Sequence, residues 1–186
     1  MFNLAIIAIW GCFIFPPHSS AEELITVDKA LKQLFPKADS FNKKVFSLSA
    51  QQIHQIEETA KLTFNGTHSE RITVYVTKEK DKIVGYAFED TVIGKWGPIH
   101  YLLALNPEGT ILQIIILDYQ EIRGKPIAKK RFLRQYQNKG IDDELQLRKD
   151  IDGISGATIS SRSLTDGARK IVRVYHLMRS DSTLFQ

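Results

Sequence analysis

Cysteine is nearly missing from this chain. The 186 residues hold one, Cys12, and it lies in an apolar N-terminal run. Internal disulfides, thiolate catalysis and Cys-ligated zinc or iron–sulfur sites are therefore excluded, and no C-x-x-C-H haem attachment site is present. A strong charge of one sign is missing too. Lys and Arg number 25 against 21 Asp and Glu, a formal net charge of +4. The one short basic run, Lys129-Lys130-Arg131, has no interleaved aromatics, so no nucleic-acid partner is expected. No apolar run reaches the roughly 20 residues of a membrane span. Histidines are few, and neither His54 nor His100 has a partner at metal-ligand spacing, so no metal site is expected. Repeats and low-complexity tracts are absent. With 43% apolar and 25% charged residues, the composition is that of one globular domain of ordinary core size.

The N-terminus reads as a leader. Phe2 to Phe15 is almost wholly apolar, and Pro16-Pro17-His18-Ser19-Ser20-Ala21 breaks the pattern. Residues 1–21 are expected to be a secretory signal peptide, with small residues before a cut after Ala21. No Lys or Arg precedes the apolar run, and a short uncleaved anchor is the alternative. Ile9-Trp10-Gly11-Cys12 is faintly similar to a lipoprotein cleavage site, with Trp10 out of place.

Beyond the leader the hydrophobic pattern changes period. Ile25 to Phe35 is predicted helical, with Thr26 as N-cap and Pro36 as stop. Gln51 to Leu62 predicts a second helix capped by Ser49. Together they make residues 22–70 a small N-terminal helical extension. Ile72 to Thr77 alternates as a strand, turns at Lys80-Asp81-Lys82, and returns as Ile83 to Phe88. Ile99 to Leu105 and Ile111 to Leu117 form a second pair around Asn106-Pro107-Glu108-Gly109, a turn sequence. Ile114-Ile115-Ile116-Leu117 is continuously apolar, which predicts burial on both faces. Helices are expected at Lys129 to Gln137 and Ser163 to Met178. Helices, then antiparallel strands, then helices predict an α+β fold: a twisted antiparallel sheet packed against helices.

The segment Asp152-Gly153-Ile154-Ser155-Gly156-Ala157-Thr158-Ile159-Ser160-Ser161 concentrates the chemistry. It combines two glycines and four hydroxyls and runs into the last helix. A helix N-terminus leaves backbone N–H groups free and favours negative charge, which suits a phosphate. Gly156 permits close approach, Ala157 stays small, and Arg162 offers a charge-assisted contact. The plainer reading of the same residues is a Ser-rich loop with an N-cap. A Ser hydroxyl without a base has no nucleophilicity of its own, so no catalytic residue is assigned. Trp96, Tyr101 and Tyr119 are the aromatic candidates for contact with a planar ligand, and for Trp96 a core or rim position is the alternative.

Ser155-Gly156-Ala157-Thr158-Ile159-Ser160 resembles the flavinylation motif of the FMN-binding domain family, which includes subunits of sodium-pumping NADH:quinone reductase and of Rnf-type complexes. The likeness extends from Ile72 to Met178 and includes Gly94-Lys95-Trp96-Gly97-Pro98-Ile99 and Glu121-Ile122-Arg123-Gly124. The resemblance implies an FMN-binding domain over 71–186. FMN would be covalently attached through a phosphoester to Ser160, with Ser161 as the neighbouring alternative. Ser155, Gly156, Ala157, Thr158, Trp96, Gly97 and Glu121 would surround it. A separate flavin transferase would attach FMN, with FAD as donor and a divalent metal; Asp152 would place that metal or orient the hydroxyl, or simply form a turn. The respiratory subunits carry Glu-Thr-Pro-Gly where this chain has Glu121-Ile122-Arg123-Gly124, which favours a stand-alone exported carrier. That carrier would be periplasmic or otherwise extracytoplasmic, free or held at a membrane, passing electrons from a membrane donor to an extracytoplasmic acceptor. An FMN-carrying subunit of a membrane redox complex and a flavin-free sensor or binding domain are the alternatives.

Overall fold

A computed structural model describes residues 22–64, 70–119 and 126–180. The expected leader, and Glu121 and Arg123, lie outside the described residues. A six-stranded antiparallel sheet forms the centre. Its strands are β1 (Glu22–Glu23), β2 (Ser40–Ser47), β3 (Arg71–Glu79), β4 (Lys82–Ile93), β5 (Pro98–Leu105) and β6 (Ile111–Tyr119). In space they run β1-β6-β5-β4-β3-β2. The helices are α1 (Val27–Leu34), α2 (Ala50–Ala60), α3 (Lys130–Leu133) and α4 (Thr158–Ser180), with a 3₁₀ turn over Arg134–Tyr136. The expected α+β fold is what forms.

The local chemistry explains most boundaries. The Thr26 side chain caps α1 by accepting from the Lys29 N–H. Ser49 and Gln52 form a reciprocal capping box on α2. Between β3 and β4, Lys80 and Asp81 both take positive φ, 48° and 63°, the two-residue hairpin geometry that matches strand twist. At the β5–β6 turn, Asn106 Oδ1 accepts from the backbone of Glu108 and Thr110.

Helices cover both faces of the sheet. On one face α1 packs over β5 and β6 around Leu31, Tyr75, Ala87, Leu102 and Leu117. On the other, α4 lies over β4 and β5 and against α2, enclosing Phe88, Tyr101, Leu103, Ile114, Leu164, Ile171 and Tyr175. Ile114 and Ile116 point to the α4 core, Ile115 and Leu117 to the α1 core. That double coverage is why Ile114–Leu117 reads as one unbroken apolar run.

Three elements differ from the sequence-based expectation. Segment 22–70 is not purely helical, because it supplies both edge strands: β1 beside β6 and β2 beside β3. β2 carries Lys43-Lys44 at its centre and lacks clean alternation, as edge strands often do. The helix expected at Lys129 tightens into the 3₁₀ turn after one turn. The last helix starts at Thr158, five residues before the expected Ser163. Its first turns are rich in hydroxyls, and these bond back along the helix. Ser161 Oγ donates to the Ala157 carbonyl at 2.9 Å, Ser163 Oγ to Ile159 at 3.1 Å and Thr165 Oγ1 to Ser161 at 2.7 Å. Apolar periodicity does not register such a start.

Candidate functional site

Ser160 is the third residue of α4, and its placement organises the region. The helix opens with the Ser161 N–H on the Ala157 carbonyl at 2.9 Å. The amides of Thr158, Ile159 and Ser160 thus precede the first intrahelical bond. No acidic residue lies in this turn, so the positive end of the helix dipole is not neutralised there.

The β4–β5 turn closes over this helix start. Gly94 N–H donates to the Gly97 carbonyl at 2.8 Å. The Lys95 N–H donates to Ser160 Oγ at 3.1 Å. A Cβ on Gly94 would stand 3.0 Å from Ser160 Oγ and 2.9 Å from Ile99 Cδ1; only a residue without a side chain lets the strand end meet the helix so closely. Ser160 is accordingly 2% exposed. Trp96 is 48% exposed at the tip of the turn, with the Lys95 ammonium 4.8 Å from its ring centre.

The loop before the helix is pinned from two sides. Ser161 Oγ accepts from the Ile154 N–H at 3.1 Å. Gln135 clamps residue 152, accepting from its N–H at 2.8 Å and donating to its carbonyl at 3.2 Å. Gly156 has φ +81°, a conformation that disfavours any side chain. Gln135 and Lys95 carry no signal in the sequence. Their roles arise only when the loops converge.

The motif residues therefore face three ways. Ser155 lies on a cleft of about 580 Å³ with Asp152, Gly153, Lys129, Arg131 and Phe132. Thr158 lies on a smaller cleft of about 300 Å³, with Val92, Ile93, Ile159, Arg162 and Asp166. Ser160 lines neither and is enclosed under the Gly94 turn. Ile93 and Ile159 are exposed large apolar side chains, at 53% and 54%, and sit beside the enclosed serine. Ala157 and Ser161 are buried, whereas Ser155, Gly156 and Thr158 are exposed. Basic groups (Lys129, Arg131) rim the larger cleft and Arg162 the smaller.

Two aromatic candidates fall elsewhere. Tyr101 is fully buried, and its hydroxyl donates to Asp90 Oδ2 at 2.8 Å. Tyr119 is 3% exposed. Neither offers a ring to an open slot, because inward positions of central strands go to the core. His54 sits on the exposed face of α2 beside Glu58 at 3.5 Å. His100 lies between two carboxylates, with Nε2 3.0 Å from Glu89 Oε1 and Nδ1 3.1 Å from Asp118 Oδ2. The Tyr75 hydroxyl holds the other Glu89 oxygen at 2.8 Å. The hydrogen bond to Glu89 raises the His100 pKa above its usual range, and burial opposes it. The same contact leads in holding Glu89 down to about 2.

An α+β domain with a glycine turn closed on the hydroxyl-rich start of its last helix is the class defined by these features. Sequence comparison narrows that class. Residues 94–173 match the FMN-binding domain, so the resemblance carried by the motif holds across both the turn and the helix. The chain is 27% identical over 105 residues to the G subunit of the proton-translocating ferredoxin:NAD(+) oxidoreductase complex of Clostridium ljungdahlii, covering 53% of this chain and 57% of that one. It is 26% identical over 156 residues to the G subunit of the Na(+)-translocating ferredoxin:NAD(+) oxidoreductase complex of Acetobacterium woodii, covering 78% and 72%. It is 25% identical over 123 residues to the G subunit of an ion-translocating oxidoreductase complex of Stutzerimonas stutzeri, covering 60% and 53%. The matches thus span from about half to under three quarters of these relatives' lengths. No helix among the described residues is long and apolar enough to cross a membrane.

Proposed function

We propose that this protein is an electron-transfer flavoprotein that carries FMN covalently on Ser160 Oγ. The observation that carries the reading is the position of Ser160: third in α4, against the Gly94 turn, inside the stretch that matches FMN-binding domains. The donor set suits a phosphate. The amides of Thr158 to Ser160 and the helix dipole favour an anion. Lys129 and Arg131 supply positive charge in the cleft that Ser155 lines, and Arg162 in the cleft that Thr158 lines. Exposed Ile93, Ile159 and Trp96 supply the flat apolar contacts that an isoalloxazine ring requires. Bound FMN would supply one- and two-electron redox chemistry, while the protein sets its position and exposure.

Attachment is assigned to a separate flavin transferase. The Ser160 oxygen would form the new O–P bond, the diphosphate of FAD would break, and AMP and the hydroxyl proton would leave. Among the described residues, the hydrogen-bond partner of Ser160 Oγ is the Lys95 N–H, which is a donor and not a general base. Deprotonation is therefore the transferase's task. The likeness to G subunits of ion-translocating complexes supports a membrane redox partner. We place the domain outside the cytoplasm, where covalent attachment prevents loss of a cofactor that cannot readily be replaced.

The test is mass spectrometry on protein exported together with a flavin transferase. The expected result is an FMN-sized adduct on the Ser160 peptide, lost in Ser160→Ala and retained in Ser161→Ala. An adduct that follows Ser161 would move the site by one residue. Colourless, unmodified protein would refute the flavin-carrying reading and favour a flavin-free binding domain.

A further inference from the structure

The far half of α4 carries two arginines that the Ser160 region does not use. Arg169 and Arg173 stand one turn apart, roughly 14 and 20 Å along the helix from Ser160 at 1.5 Å per residue. Arg169 is 8% exposed. Its Nη1 donates to the Leu145 carbonyl and its Nη2 to Asp166 Oδ1, both at 2.7 Å. Arg173 Nη1 donates to the Ile141 carbonyl at 2.8 Å. In both residues Nε is buried and meets no acceptor among the described residues. A buried donor without an acceptor is costly, more so when charged, so two on neighbouring turns call for an explanation. Burial pulls the Arg173 pKa below the ordinary arginine range, Arg169 adds to that effect, and Asp142 opposes it.

Both arginines line a cleft of about 200 Å³ between the end of α2 and the 144–146 loop, together with Lys61, Glu144 and Gln146. Glu144 is engaged by Lys149 at 2.5 Å, and Asp166 is engaged by Arg169. Three cations therefore border the cleft against one carboxylate that already has a partner. The volume lies below the roughly 300–1,000 Å³ of sites for drug-sized ligands, so the occupant must be small. We propose that this cleft binds a small oxyanion, a phosphate or a carboxylate, through the unpartnered Nε–H groups of Arg169 and Arg173, with Lys61 at its rim. Guanidinium edges pair with such oxyanions in a planar, two-point fashion. The site is independent of flavin attachment and exists in the unmodified protein.

The arginine Nε–H resonances report on it directly. The unmodified protein is titrated with inorganic phosphate at constant ionic strength, with acetate and chloride in parallel. The expected result is saturable movement of the Arg169 and Arg173 Nε–H signals with phosphate or acetate and none with chloride. Whichever oxyanion saturates at the lower concentration identifies the preferred class. Arg173→Gln should weaken binding at least tenfold, and Lys61→Met about threefold. Shifts that never saturate, or that chloride reproduces, would overturn the proposal. Should Arg173→Gln fail to fold, undiminished binding by Lys61→Met overturns it equally.

Discussion

The substitution Lys170→Met tests what seats the last helix on the sheet. Lys170 is 0% exposed, and its Nζ donates to Asp90 Oδ1 at 2.8 Å. Tyr101 holds the other Asp90 oxygen at 2.8 Å, and the Phe64 ring lies 5.9 Å from the ammonium. Removing the cation leaves Asp90, itself 7% exposed, as a buried carboxylate whose remaining side-chain partner among the described residues is the Tyr101 phenol. Breaking such a pair on one side costs about 3–5 kcal/mol. For a domain of this size that lowers Tm by roughly 6–20 °C. Thermal and urea unfolding of the single variant measures the loss. The double variant Lys170→Met, Asp90→Leu replaces both charges with apolar groups and should recover most of it, because the penalty comes from the stranded charge. Tyr101→Phe should cost less, about 1.5–3 kcal/mol, as one hydrogen bond to a charged acceptor is lost. A single variant within about 0.5 kcal/mol of the parent, the ordinary scatter of a neutral substitution, would refute this account of the pair. So would a double variant as unstable as the sum of the singles.

Other substitutions probe the site itself. Ser161→Ala strands the Ile154 N–H and should cost about 1–3 kcal/mol in chemical unfolding while leaving the FMN adduct in place. Gly94→Val drives a branched side chain into Ile99 and Ser160, so adduct yield should fall steeply while the far-ultraviolet spectrum is kept. The His100–Glu89 pair predicts a pH profile. A raised His100 stabilises fully below its unfolded value near 6.5 and loses this as pH rises through its folded value. A depressed Glu89 stabilises above its ordinary 4.5 and loses this as pH falls toward about 2. Stability should therefore peak between about 4.5 and 6.5, and His100→Gln should flatten the alkaline side; an unchanged profile would exclude this pair as its source.

Legibility followed the physics of each segment. β3 to β6 stand out because apolar runs, alternating at the start of β3 and continuous at Ile114–Leu117, are bounded by clear turn chemistry, as at Asn106 and at Lys80-Asp81. α1 and α2 are marked by Thr26 and Ser49, whose caps form as expected. β2 is hidden because an edge strand with Lys43-Lys44 need not alternate, and β1 because two residues carry no period. The start of α4 is hidden because its opening turns bury hydroxyls rather than hydrocarbon. The motif itself is visible as residue types, yet its geometry is not. That Ser155 and Thr158 open to different clefts, and that Gln135 and Lys95 fix the loop and the acceptor, depends on contacts across 17 and 65 positions. Local pattern holds no record of such pairings.

The enclosure of Ser160 bears on how the proposed attachment would proceed. A hydroxyl that is 2% exposed and bonded to the Lys95 amide cannot meet a bulky donor while the β4–β5 turn is closed. The turn itself is lightly held. Its tethers are the Gly94–Gly97 bond at 2.8 Å and the Lys95–Ser160 bond, and Lys95 and Trp96 are both exposed at its tip. Each such bond contributes about 0.5–1.5 kcal/mol net, so opening costs only a few kcal/mol and leaves the sheet intact. The buried Lys170–Asp90 pair meanwhile keeps the helix fixed. A firm helix beneath a weak turn lets the acceptor oxygen be uncovered without being displaced. Weakening the turn by Pro98→Gly should therefore speed adduct formation by the transferase, while weakening the helix seat by Lys170→Met should slow it. Matching time courses for the two variants would show that access to Ser160 is not set by the turn.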